Sequence, residues 1–473
     1  MRTIETDVAI IGVGTAGMAA YQAAHRHTER ILTIEHGPYG TTCARVGCMP
    51  SKLLIAAAQA ARQARLAPHF GVQTGPVHVD GAAVMQRVRE ERDRFVQFSL
   101  DTVAAWPSGH KLSGTARFSD SGVLQVGEDT IVKARSFVIA TGAASQVPED
   151  LRTQLGDRLI TSDVVFDWQA LPGSVAVMGS GVIGLELAHA LSALGVRVRL
   201  LGRGGKAGPA TDPEVAAHCA ELTRASIPSC LDSQLQSARR CAEGVELRYS
   251  SDGQTHTETF DFLLVATGRR PQLADLHLEA AGVTLDEQGL PPFDAQTRQL
   301  GSLPIFLAGD ANNHHPVLHT ASDDGFAAGH NAATWPQVQS FQRRAPLNIV
   351  FGEPQIAMVG QSHRALLEGG ADFDTGTVHF RNQGRARIEA RNQGVLRVYA
   401  DTADGRLLGA EMVGPAAEHI GHLLAWALQQ KQTVASMLAC PFYHPTIEEG
   451  LRTALQQLRK KLPAGAASSG TGQ

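Results

Sequence analysis

The chain is poor in cysteine, has no long apolar run and carries no excess of charge of either sign. Six cysteines in 473 residues are too few for a disulfide-built scaffold. The start, MRTIETDVAIIGVG, has acidic residues ahead of its apolar run and no small-residue cleavage site. It does not read as a secretory signal, so the expected setting is cytoplasmic. No stretch reaches the roughly 18 apolar residues that a membrane span needs. Lys and Arg number 42 against 46 Asp and Glu, a net charge of −4. That balance gives no electrostatic case for nucleic acid or an anionic membrane as partner.

Against that scarcity, one close pair stands out. Cys43 and Cys48 sit in GTTCARVGCMPSK, after an apolar strand-like run and before alanine-rich sequence. Buried thiols, metal ligands, a structural staple and a redox couple are all open for such a pair. The missing secretory signal favours catalysis or metal binding. Cys219, Cys230, Cys241 and Cys440 are scattered and read as small half-buried residues.

The length implies about three or four domains. Glycine is somewhat abundant, at 48 residues, which suits several phosphate-binding turns. In DVAIIGVGTAGMAAYQAAHR a strand (Val8 to Ile11) meets a tight turn and then a helix from about Ala16. Gly12, Gly14 and Gly17 fit GxGxxG: the first allows the turn, the second lets a pyrophosphate approach, the third lets helix and strand pack closely. The next strand ends in Glu35, placed to accept from an adenosine ribose hydroxyl.

The pattern recurs in SVAVMGSGVIGLELAHALSALGVRVRLLGRGGK, with Gly179, Gly181 and Gly184. Two such units suggest two dinucleotides, as in a flavoprotein that exchanges electrons with a nicotinamide. Here the second strand ends at Leu201, Gly202 occupies the acid's slot, and Arg203 and Lys206 follow. A carboxylate there would repel a 2′-phosphate, whereas Arg binds one through paired hydrogen bonds. NADP(H) is expected over NAD(H).

With these motifs in order, the chain resembles the flavin-dependent pyridine nucleotide–disulfide oxidoreductases, class I, and most of all their dihydrolipoamide dehydrogenase branch. FVIATGA, with Gly142, and VATGRRP, with Gly268, resemble the strands that leave and re-enter the nicotinamide domain. IFLAGDA carries Asp310, matching the Asp that bonds the FAD ribitol. NIVFGEPQIAMVG and FYHPTIEEG resemble the opening and closing of the dimerisation domain.

The resemblance implies FAD, NADP(H) or NAD(H), and a homodimer. It makes Cys43–Cys48 a redox pair: CxxxxC lacks zinc spacing, no further Cys/His cluster completes a metal site, and no metal is expected. Cys48 matches the flavin-side cysteine and Cys43 the interchange cysteine. A helix beginning at the pair is expected to favour a thiolate. His444 matches the acid–base His and Glu449 the carboxylate that orients it, both supplied by the partner subunit. Lys52 and Glu186 match an ion pair beside flavin N5.

The resemblance implies an α/β fold of two doubly wound, Rossmann-like domains and a C-terminal α+β dimerisation domain. The expected division is residues 1–147 for FAD, 148–270 for NAD(P), 271–343 returning to the FAD domain, 344–462 for dimerisation and 463–473 a disordered tail. The implied activity passes electrons between a dithiol or disulfide, the Cys43–Cys48 pair, FAD and NAD(P). An NADPH-driven reductase of another small-molecule or protein disulfide is the alternative. A non-catalytic flavoprotein subunit or redox sensor is the remaining one.

Several residues depart from the pattern. Thr41 replaces a Gly, and Arg45 between the cysteines replaces a common Asn. Phe442 stands where lipoamide enzymes often carry a second His, and Tyr443 replaces a small residue. No C-terminal Cys-Cys pair exists, which argues against a mercuric or large thioredoxin reductase. The cysteine pair itself argues against a soluble transhydrogenase.

Overall fold

The computed structural model describes residues 2–463. Beyond Pro463, the expected tail lies outside the described residues. The chain divides into two units, and the first comprises Met1–Leu53, Arg87–Gln146 and Arg269–Arg343.

In the first unit, the apolar run Val8–Ile11 is the inner half of a longer strand, Arg2–Ile11. Its outer half, polar and partly exposed, is held by parallel pairing with the start of Thr130–Ile139. Ile31–Glu35 pairs along the other edge, also parallel. Lys111–Ser113, Val123–Val126, Ala116–Asp120 and Ile305–Leu307 complete a seven-stranded sheet. Val8, Ile10, Val138 and Phe306 face one apolar cluster, and Ala9, Phe137, Ile139 and Leu307 face another. A parallel sheet buried on both faces needs such unbroken apolar strands.

On one face, helices Thr15–Ala24 and Leu318–Thr334 pack at close range. A Cβ on Gly325 would stand 2.1 Å from the Ala16 carbonyl oxygen, and one on Gly329 2.2 Å from that of Ala20. Strands Ala143–Ser145 and Arg269–Pro271 pair antiparallel where the chain leaves this unit and returns.

The second unit comprises Leu54–Gln86, Val147–Gly268 and Arg344–Gln473. The segment expected to bind a nicotinamide and the expected dimerisation segment thus share one unit. Its doubly wound part is a five-stranded sheet ordered Ser229–Cys230, Arg197–Leu201, Ser174–Met178, Phe262–Val265, Leu159–Ile160. Beside it lies a three-stranded antiparallel sheet, Ser233–Cys241, Gly244–Ser251 and Gln254–Phe260. The C-terminal part is a five-stranded antiparallel sheet covered by helices Ala417–Gln429 and Glu449–Lys461.

Buried acids tie these parts together. Glu411 is fully buried and accepts from Thr211 N (2.6 Å), Thr211 Oγ1 (2.6 Å), Asp212 N (2.8 Å) and His363 N (2.8 Å). Asp212, equally buried, caps helix Pro213–Ser226 and accepts from Arg397 Nε (2.8 Å) and Tyr399 Oη (3.0 Å). Charges taken so far from water persist only when their lone pairs are met this fully. No described helix is long and apolar enough to cross a membrane.

Candidate active site

The two glycine-rich turns have the same geometry. Gly12 adopts φ +94°, and a Cβ there would meet the Ala140 carbonyl oxygen at 2.5 Å; one on Gly17 would meet that of Gly12 at 1.9 Å. Gly14 has nothing within 4 Å of its notional Cβ. Gly179 (φ +117°) and Gly184 repeat the contacts at 2.3 and 1.8 Å, and Gly181 again faces open space. In each turn the outer glycines are required by backbone contact, while the middle one leaves room for a ligand.

Around the first turn, Glu35 accepts from Val13 N (2.8 Å) and Gly37 N (3.0 Å). The acid expected to meet a ribose therefore also holds the turn, with lone pairs left over. Thr141 Oγ1, next to the wall that Gly12 touches, is buried and has no hydrogen-bond partner among the described residues. Beside it, the Gly142 carbonyl accepts from Gln272 N at 2.9 Å. The open Gly14 cradle and the orphaned Thr141 hydroxyl both suit an FAD.

Asp310 lies half-buried in the turn Gly309–Asn312. Burial pushes its carboxyl up, against a smaller opposing pull from Arg269. An ion pair invisible to local reading anchors that turn. Arg298 and Asp324 are each 1% exposed and meet at 2.7 Å, and Asn312 Nδ2 donates to Asp324 at 2.6 Å.

At the second turn, Ser180 Oγ donates to the Lys206 carbonyl at 2.7 Å. A Cβ on Gly202 would fall 2.7 Å from that hydroxyl and 3.0 Å from the Leu231 carbonyl oxygen. The slot for a ribose-binding acid is therefore filled. Arg203 and Lys206 are exposed, and Gly204 N donates to Asp232 at 3.1 Å. Gly268, at φ +140°, lies just beyond strand Phe262–Val265. Ser180 was not singled out from the sequence; its place inside GxGxxG was the available signal.

The cysteines straddle a helix break. Thr41 caps the short helix Thr42–Val46 by accepting from Ala44 N at 3.1 Å, which gives the non-glycine residue there a role. Gly47 ends that helix, and Cys48–Leu66 starts anew. The N–H groups of Cys48 and Met49 point at the Cys43 sulfur and favour its charge, as a helix start should. At Cys43 the net effect runs the other way. A hydrogen bond to Cys48, then burial, then the charge of Cys48 raise the Cys43 thiol strongly. Two sulfurs this close do not both ionise. Cys43 is half-buried and Cys48 exposed. Arg45 turns from the pair, donating to the Pro38 carbonyl at 3.4 Å.

His444 Nδ1 meets both oxygens of Glu449, at 3.1 and 3.0 Å. The histidine side chain is 80% exposed and the glutamate 24%. The bond from His444 lowers the Glu449 carboxyl. Glu449 opens helix Glu449–Lys461, where a carboxylate is stabilised. The ring is thus held through Nδ1, with Nε2 left for chemistry. Tyr443, 82% exposed, stands beside it, while Phe442 packs on the C-terminal core.

Lys52 follows the cysteines in the first unit, and Glu186 lies in the second. Glu186 is 4% exposed and accepts from Phe351 N at 2.9 Å. Among the described residues no group of three or more His, Cys, Asp or Glu is placed to hold a metal.

Two nucleotide-type turns, a close cysteine pair and a carboxylate-held imidazole are the features of a flavin- and nicotinamide-linked disulfide oxidoreductase. The chain belongs to the pyridine nucleotide–disulphide oxidoreductase family: its model matches residues 6–325, and the model of the family's dimerisation domain matches residues 347–455. The family uses FAD and NAD(P)H.

Relatives include a mercuric reductase of Acidithiobacillus ferrooxidans, 31% identical over 96% of this chain and 82% of that one. A dihydrolipoyl dehydrogenase of Geobacillus stearothermophilus is 28% identical over 94% of each. Mercuric reductases thus stand among the relatives, although the missing C-terminal Cys-Cys pair was expected to argue against that branch. Among solved structures, LpdA of Mycobacterium tuberculosis superposes with a TM-score of 0.82 at 24% identity, covering 96% of this chain and 99% of that one. The Cu(II) complex of the flavoprotein disulfide reductase RclA of Escherichia coli gives 0.80 at 23%, covering 96% and 100%. These likenesses concern the fold.

Proposed function

We propose that this chain passes electrons between a dithiol/disulfide substrate and NAD(P)(H), through Cys43–Cys48 and FAD, in a cytoplasmic homodimer. The expected domain division and site residues belong to this reading. The observation that carries it is the cysteine pair at the break between helices Thr42–Val46 and Cys48–Leu66, where the N–H groups of Cys48 and Met49 point at the Cys43 sulfur. FAD supplies a carrier that accepts an electron pair from a dithiol and exchanges a hydride with a nicotinamide.

The chain's own residues do the sulfur chemistry. In the reductive direction, deprotonated Cys43 attacks a substrate disulfide, forming a mixed disulfide and releasing one substrate thiolate. The partner subunit's His444 protonates that leaving sulfur, and its Glu449 fixes the ring through Nδ1. Cys48 then attacks Cys43, releasing the second substrate thiol and closing Cys43–Cys48. Oxidation of a dithiol runs through the same steps reversed.

A lipoyl-type dithiol is the leading substrate class, on the resemblance to dihydrolipoamide dehydrogenase. The second reading is an NADPH-driven reductase of another disulfide. The Ser180-filled slot and the exposed Arg203–Lys206 loop favour it. Steady-state turnover of the purified flavoprotein with lipoamide, dihydrolipoamide, glutathione disulfide and Hg(II), each with both nicotinamides, tests both. Turnover with a disulfide or dithiol, lost in Cys43→Ser, supports the reading. No turnover with any sulfur substrate removes it, and Hg(II) turnover alone moves the chain to the metal-reducing branch.

A further inference from the structure

The loop after strand Arg197–Leu201 carries Arg203 and Lys206 on a frame of glycines, Gly202, Gly204 and Gly205. Gly204 and Gly205 both lie in the left-handed region, at φ +64° and +71°, and a Cβ on either would meet no atom within 4 Å. Packing requires neither, so glycine serves there for the turn alone. Two adjacent glycines have much conformational freedom to lose. A loop so built presents a fixed pair of cations only if other groups hold its backbone.

Most of those groups come from the neighbouring strand end, residues 230–233. Gly202 N donates to the Cys230 carbonyl at 2.8 Å, and the Gly202 carbonyl accepts from Ser233 N (2.9 Å) and Ser233 Oγ (3.0 Å). Gly205 N donates to the Leu231 carbonyl at 3.1 Å. Ser180 Oγ closes the far end on the Lys206 carbonyl. Next to Arg203 the acceptor is a side chain: Gly204 N donates to Asp232 Oδ1 at 3.1 Å. Asp232 is exposed, so its bond adds little to folding and can be removed without unfolding the chain.

We propose that Asp232 is a positioning residue for nucleotide choice: by holding Gly204 N it keeps the turn after Arg203 in its left-handed conformation, and so presents Arg203 and Lys206 as a fixed pair to a 2′-phosphate. This rests on the reading of the second glycine-rich turn as a nicotinamide nucleotide site. The carboxylate's own charge works the other way, opposing the phosphate that its hydrogen bond helps to seat. Substitution separates the two. Asp232→Asn keeps an oxygen acceptor and drops the charge, whereas Asp232→Ala drops both.

Isothermal titration of the FAD-loaded protein with 2′,5′-ADP and with 5′-AMP tests this, at one ionic strength and with unfolding midpoints measured in parallel. The dissociation constant for 2′,5′-ADP is expected to be roughly fivefold higher in Asp232→Ala than in Asp232→Asn, the worth of about one hydrogen bond. Both variants should bind 5′-AMP alike. Equal 2′,5′-ADP affinity in the two variants, or the same change for both ligands, overturns the proposal. Wild-type protein that binds 5′-AMP as tightly as 2′,5′-ADP also overturns it, because the loop then seats no phosphate, and leaves the electron route through Cys43–Cys48 untouched. Wild-type protein that binds neither ligand defeats the reading of the turn itself, and is recognised before any variant is compared.

Discussion

The neighbouring Cys48 sulfur and burial hold the Cys43 thiol up. In the proposed reaction Cys43 is the interchange sulfur, and His444 moves its proton. His444→Ala is expected to lower disulfide turnover about 10²- to 10⁴-fold, with reduction of bound flavin by NADPH unchanged in stopped-flow traces. Equal loss in both half-reactions would place His444 elsewhere. His189 makes a second prediction. Burial, and then the Arg62 charge, hold it down to about 3, from 6.5. Its folded-state pKa lies below the unfolded one, so the unfolded chain binds the extra proton between these values. Stability from this group is whole above pH 6.5 and falls with pH toward 3. The loss comes to roughly 3 kcal/mol between pH 6.5 and 4. Urea midpoints at pH 7 and 4 should converge in His189→Gln relative to wild type; an identical pH response refutes the assignment.

Among the elements, each strand–turn–helix unit is decided by three glycines with different duties. Gly14→Ala meets no atom within 4 Å, so its thermal midpoint should match wild type while FAD affinity falls by at least about tenfold, because the new methyl occupies ligand space. Gly17→Ala forces a 1.9 Å contact and should destabilise the chain by about 1–3 kcal/mol. Calorimetry beside flavin-fluorescence titration separates the two. At the second turn, Ser180→Ala with Gly202→Glu removes the nearest of the atoms that crowd the slot and places an acid there, with the Leu231 carbonyl left at 3.0 Å. The NADPH-to-NADH efficiency ratio should then fall at least about tenfold, the value of one charge-assisted contact. Unchanged preference would show that the basic loop does not choose the nucleotide. The turns were legible because their spacing is local. The sheet Ser233–Phe260 was not, since its strands are largely polar and gain their burial from Tyr249, Val245 and Phe260 packing inward.

For the whole molecule, the proposed site needs two chains, because Cys43 and His444 act from different subunits. Mixing Cys43→Ser with His444→Ala should yield hybrid dimers with one working site, although each parent homodimer is inactive. No activity after subunit exchange, with hybrids confirmed by native mass spectrometry, would mean that one chain builds its own site.

The order of turns, dithiol and His-Glu motif was written in the sequence, because each depends on residues within a few positions of one another. Gly12 to Gly17, Cys43 to Cys48 and His444 to Glu449 are such runs. Tertiary structure alone decided what surrounds them. Asp324 anchors the Asp310 turn through Asn312, Phe351 N–H finds Glu186, and burial raises the Cys43 thiol. Each of these turns on burial and on distance across the fold, which make a charge costly or a hydrogen bond possible. No spacing along a chain encodes either one.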